Sequence, residues 1–154
     1  MGYYVSITEG QATLPADKLD EAYKVMCALN DNDAVKRGGS WGGGEDHNSP
    51  RPTGLNYHPY RWFSWMDANY PETCPDAYAI LEALGFEMDR TEDGSIIITS
   101  YDSKMGQEGL FLDALCPLFT EDSYLVWRGE DGDLWRNEFG GKTTVNKTAE
   151  IRWV

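Results

Sequence analysis

Hydrophobic spacing along this chain switches repeatedly between a period of two and a period of three to four residues. The order of those switches limits the fold more than any motif does. Tyr3 to Thr8 is β-branched and aromatic, with alternation fading toward Leu14, which predicts a first strand. Behind Pro15, Leu19, Ala22, Tyr23, Met26 and Leu29 recur at helical steps, predicting an amphipathic helix over 17–30. Between Asn30 and Pro59 the pattern vanishes into Gly38-Gly39-Ser40-Trp41-Gly42-Gly43-Gly44 and several prolines, so residues 31–59 read as one long Gly-rich loop. A short helix with a buried aromatic face is expected over 60–69 and another helix over 75–84, where Gly85 suits a left-handed C-cap. Phe86 to Arg90 and Ser95 to Tyr101 form a hairpin around Thr91-Glu92-Asp93-Gly94, and a helix covers 107–118. Three strand patterns close the chain, over 123–128, 134–139 and within 143–154, separated by Gly129-Glu130-Asp131-Gly132-Asp133 and Gly140-Gly141. This succession contains a ferredoxin-like split βαβ unit. The expected fold is therefore α+β: an antiparallel sheet with helices on one face, extended by a C-terminal β-meander.

With 154 residues there is room for one domain, spanning 1–154. Aromatic residues at 13% are more than a disordered chain would carry. The charges are lopsided, 26 acidic against 13 basic, for a net −13. Such a surface repels phosphate backbones and anionic lipid, so neither direct nucleic-acid binding nor a membrane is expected. The opening Met1-Gly2-Tyr3-Tyr4-Val5-Ser6-Ile7 lacks a basic region and an apolar run, so no export signal is read and a cytoplasmic location is expected. Cys27, Cys74 and Cys116, odd in number and far apart, then read as free thiols of a reducing compartment.

Because neighbouring elements of a split βαβ unit run in opposite directions, its topology places charges. Glu92-Asp93 and Glu121-Asp122 should share one end of the sheet, and Glu130, Asp131 and Asp133 the other. Either these acids only solvate the surface, or they form a partner-binding face that attracts a basic protein or imitates the phosphates of DNA.

Motifs for bond-making chemistry are weak. His47 and His58 are the only histidines and have no Cys-x-x-Cys or His-x-x-x-His companion, so no metal site is expected. Asp31-x-Asp33 and Asp131-x-Asp133 lack the glycine and glutamate of a calcium loop. Gly141-Lys142-Thr143 lacks the earlier glycine of a phosphate loop, where Arg136 stands, and no nucleotide or other cofactor is expected. One alternative is a small hydrolase pairing Cys74, placed before a helix N-terminus, with His58. The other hydrolase version uses the carboxylates near Asp67 and Glu72.

The densest aromatic block is Tyr57-His58-Pro59-Tyr60-Arg61-Trp62-Phe63-Ser64-Trp65-Met66. It either seats the long loop against the sheet or exposes an anchor of Arg61, Trp62 and Trp65, the mixture found at interface hot spots. A carbohydrate or small-ligand module built on these rings is a further alternative. Trp127, Trp135 and Trp153 fall on successive strands of the meander, where cross-strand packing accounts for them.

Four segments carry a resemblance: Met1-Gly2-Tyr3-Tyr4, Arg61-Trp62-Phe63-Ser64-Trp65-Met66, Leu81-Glu82-Ala83-Leu84-Gly85-Phe86, and Ser123-Tyr124-Leu125-Val126-Trp127-Arg128-Gly129-Glu130-Asp131-Gly132. In these the chain resembles short uncharacterised proteins of actinobacterial phages and prophages. The resemblance implies a phage or mobile-element setting inside a host cell and carries over no functional residue. The resulting expectation is a non-catalytic acidic binding protein that engages a host protein, with Glu92, Asp93, Glu121, Asp122, Glu130, Asp131, Asp133, Arg61, Trp62 and Trp65 as its contact residues. Edge strands of the meander could also pair two copies into a homodimer.

Overall fold

The computed structural model describes residues 2–39, 61–150 and 152–153. Its strands are β1 (Tyr4–Leu14), β2 (Gly38–Gly39), β3 (Arg61–Trp62), β4 (Glu87–Arg90), β5 (Ile96–Ser100), β6 (Asp102–Lys104), β7 (Tyr124–Gly129), β8 (Leu134–Glu138) and β9 (Val145–Thr148). Its α-helices are α1 (Leu19–Leu29), α2 (Tyr70–Thr73), α3 (Ala77–Leu84) and α4 (Glu108–Leu115). The larger sheet runs β4-β5-β1-β7-β8-β9, with β6 also paired to β1, and every pairing is antiparallel. The chain is thus an α+β protein. Among the described residues no helix is long and apolar enough to cross a membrane.

The long central strand explains why alternation fades toward Leu14. Val5 and Ile7 turn inward at odd positions, whereas Ala12 and Leu14 do so at even ones. A register shift between Ile7 and Glu9 against β7 supplies the extra residue, and a one-residue slip exchanges the two faces of a strand. Gly10 follows the shift at φ 95°, and a Cβ there would lie 2.4 Å from the Tyr124 carbonyl oxygen. On the other side of β1, β5 pairs with its C-terminal part and β6 with its N-terminal part. The join is Tyr101, whose carbonyl accepts from the Ile7 amide at 2.9 Å.

Inward residues of the sheet, among them Leu14, Ile96, Ile98, Leu125 and Trp127, belong to the same buried cluster as the apolar stripes of α1, α3 and α4. Their strand neighbours Ile97, Val126 and Arg128 are half-buried or exposed, so the helices cover one face of the sheet. Helix α1 lies against both α3 and α4. Helix α3 forms where a start and a stop signal agree: the Asp76 carboxylate accepts from the Ala79 amide at 2.9 Å, and Gly85 ends it at φ 112°. Asp76→Ala is expected to cost about 1 kcal/mol, read as a lower midpoint of urea unfolding; an unchanged midpoint would show that the cap contributes nothing.

Three expectations need correcting. The described N-terminal part of the 31–59 loop carries local structure instead of running as plain loop: residues 33–35 form a 3-10 turn and β2 pairs with β3. Its remainder, residues 40–59, lies outside the described residues. In the expected helix over 60–69, the described residues 61–69 form not a helix but β3 and a turn in which Trp65 adopts φ 73°, with α2 beginning only at Tyr70. Aromatic residues there follow burial rather than helical period, since Phe63 and Met66 enter the core while Trp62 and Trp65 stay outside. Finally, Trp153 lies beyond β9 and is 95% exposed, so it joins no cross-strand packing. Trp127 and Trp135 do pair across β7 and β8, their rings 6.4 Å apart and 6° from parallel.

Candidate functional site

The strand registers place the acidic turns. Leu14 pairs with Ile96 and Gln11 with Tyr124, so Glu92-Asp93 and Glu121-Asp122 share the Leu14 end of β1. Val5 pairs with Gly129, so Glu130, Asp131 and Asp133 lie at the Tyr4 end. All seven side chains are exposed.

Several of these acids also hold their own turns. Asp93 accepts from the Thr91 hydroxyl and, at 3.0 Å, from the Ser95 amide, and these bonds keep its carboxyl below the usual carboxylate range. Asp131 accepts from the Tyr3 hydroxyl and the Asp133 amide and is lowered in the same way, the Tyr3 bond being the larger cause. The Tyr3 hydroxyl is correspondingly pushed up to about 12 by its bond to Asp131. Asp122 accepts from Thr120, and Glu130 accepts from the Tyr4 amide at 3.0 Å. Among the described residues no side-chain hydrogen bond engages Glu92 or Glu121, and the Asp133 side chain lies beside Asp131.

Of the expected anchor, Trp62 and Trp65 are on the surface and Arg61 is not. Arg61 is buried and its guanidinium donates to the Lys36 carbonyl, so it is not a surface cation. Trp62 and Trp65 are 41% and 51% exposed, but they rest on different supports. A Cβ on Gly38 would strike the Trp62 indole, and one on Gly106 the Trp65 indole.

Of the residues weighed for hydrolysis, Cys74, Asp67 and Glu72 fall among the described residues. Cys74 is buried at the C-terminal cap of α2, and burial raises its thiol above the usual value, opposite to what an activated nucleophile needs. His47 and His58 lie outside the described residues. Asp67 is exposed on the turn into α2, where its carbonyl accepts from the Tyr70 amide, and Glu72 is exposed within α2. Among the described residues no three His, Cys, Asp or Glu side chains are grouped to hold a metal ion.

A concave site absent from the sequence reading lies where β8 and β9 carry the sheet past α4. This groove has a volume of ≈ 540 Å³. Trp127, Trp135, Asn137 and Asn146 line it from the strands, Asp113 from the helix, and Arg37 from the segment before β2. Gln107 ties that last segment down: its amide oxygen accepts from the Arg37 amide at 2.9 Å and the Ser64 amide at 3.1 Å, and its nitrogen donates to the Val35 carbonyl. Glu108 opens α4, is buried, accepts from the Gly106 amide at 2.8 Å, and is raised above its usual range by burial. The only trace of the groove in the sequence is Trp135-x-Asn137 opposite Trp127, which alternation explains as packing.

No known protein family, curated protein or solved structure matches this chain.

Proposed function

We propose that this protein is a non-catalytic acidic binding protein that uses its two charged ends to engage a basic surface of a host protein. Its scaffold is a ferredoxin-like split βαβ unit extended by a meander. That scaffold reading is supported by the order β4-β5-β1-β7, with helices in the connections from β1 to β4 and from β5 to β7. The likeness to phage-borne proteins makes host takeover or blockade of a defence nuclease, by imitation of DNA phosphates, the process it serves.

One observation carries the functional reading: seven exposed carboxylates sit on turns at both ends of one central strand, within a net charge of −13. The hydrogen bonds within the turns do not neutralise them. A carboxylate has about four acceptor positions, so one or two bonds to the turn leave the charge and further lone pairs for a partner. The lowered Asp93 and Asp131 keep that charge to more acidic pH.

Affinity capture from host lysate, eluted in rising salt, tests this. A specific partner should be retained at low ionic strength and released as screening shortens the reach of the charges. The triple change Glu92→Gln, Glu121→Gln and Asp133→Asn spares the acids that hold turns, and should slow association with that partner roughly tenfold. A complex indifferent to salt and to these three changes would sink the proposal.

A further inference from the structure

We propose that the groove between α4 and the β8–β9 extension is a binding site for a neutral saccharide, separate from the acidic ends. Its volume of ≈ 540 Å³ falls in the usual range of small-ligand sites, about 300–1,000 Å³.

The chemistry of the strand side is set by a one-way chain of hydrogen bonds. An indole N–H can only donate, so the atom of Asn137 that meets Trp127 Nε1 at 2.8 Å must be the amide oxygen. The Asn137 nitrogen then points to Asn146 and donates to its oxygen at 2.7 Å. That leaves the Asn146 nitrogen, on an exposed residue that lines the groove, with N–H donors that no side chain or backbone group among the described residues engages. Beside this fixed donor lies the half-buried Trp135 ring, held nearly parallel to Trp127, an apolar floor that needs no rearrangement to receive a flat face.

The remaining lining selects the ligand by charge. Asp113 offers an exposed carboxylate from α4 and Glu108 a buried one, while Arg37 offers donors from the segment before β2. A phosphate would meet two carboxylates, and an organic cation would meet the Arg37 guanidinium. A neutral hydroxyl both donates and accepts, so it satisfies the carboxylate, the guanidinium and the Asn146 amide together. A pyranose combines such hydroxyls around its rim with an apolar C–H face that suits Trp135. Two of its hydroxyls on Asp113 and Asn146 would fix its orientation over the ring.

The test is a printed array of neutral oligosaccharides probed with the full chain. Tryptophan fluorescence titration of the best binder follows, with choline and inorganic phosphate as charged comparators. Saturable binding of a neutral glycan is expected, weakened more than tenfold by Trp135→Ala and roughly three- to tenfold by Asn146→Ala or Asp113→Asn. Trp153→Ala, exposed and outside the groove, should leave it unchanged. Because Trp135 is half-buried, the two exposed-residue variants decide the matter if Trp135→Ala does not fold. An array without a hit, affinity unmoved by Asn146→Ala and Asp113→Asn, or tighter binding of choline or phosphate would each overturn the site.

Discussion

Asp33→Ala should lower stability by about 1.5–3 kcal/mol, because it removes a carboxylate that is hydrogen-bonded to a buried ammonium. Lys36 is only 2% exposed, and its Nζ lies 2.6 Å from Asp33 Oδ1 and 2.8 Å from the Asn30 carbonyl oxygen. On its other side the ammonium approaches the Phe63 ring, 5.7 Å from its centroid. Water is therefore a poor substitute for the lost carboxylate, and domains of this size hold only about 5–15 kcal/mol in total. Urea unfolding followed by tryptophan fluorescence measures the loss. Asp20→Ala, on the exposed side of α1, serves as the reference and should stay within about 0.5 kcal/mol of the parent. If Asp33→Ala costs less than about 1 kcal/mol, the ammonium has another partner of equal strength, and the pair is not what anchors the segment before β2.

Phe111→Ala should have a larger effect, about 3–5 kcal/mol, through the cavity left by a fully buried ring. Phe111 meets Phe63 edge-on at 5.1 Å and 76°, and Tyr70 at 5.8 Å. The three rings join α4 to the stretch from β3 to α2, so the change loosens two elements together. Phe111→Leu keeps most of the volume and should cost less than about half as much. Because Asp113 belongs to the same helix, the alanine variant should also blur the groove and weaken any ligand bound there. An unfolding free energy within about 1 kcal/mol of the parent would mean that the neighbouring rings collapse into the space.

Much of the scaffold was legible along the chain, and its misreadings have identifiable physical origins. The helix over 17–30 and the hairpin around Gly94 were readable because local spacing and turn chemistry agree there with the tertiary contacts. The ends of the sheet followed from element order, since antiparallel connections leave little freedom about which turns share an end. The segment 60–69 misled because its dense aromatic pattern mimics a helical stripe. In the fold, Phe63 and Met66 are buried individually from a strand and a turn. Arg61 misled for a related reason: an arginine between aromatics reads as an interface residue, yet here its guanidinium satisfies the buried Lys36 carbonyl. The groove could not be read at all. Its lining comes from residues near 37, 113, 127, 135 and 146, and no local spacing connects them.

What the sequence determined by itself is the alternation of elements, the caps of α3 and the large negative charge, because each depends on residues close together or on a simple sum. The tertiary structure alone decided which charges are spent inside the protein, where β1 changes face, and that Trp135, Asn146 and Asp113 border one hollow. Those outcomes depend on contacts between segments far apart in the chain. Burial, which fixes the cost of every charge and the value of every ring, exists only once those segments have met.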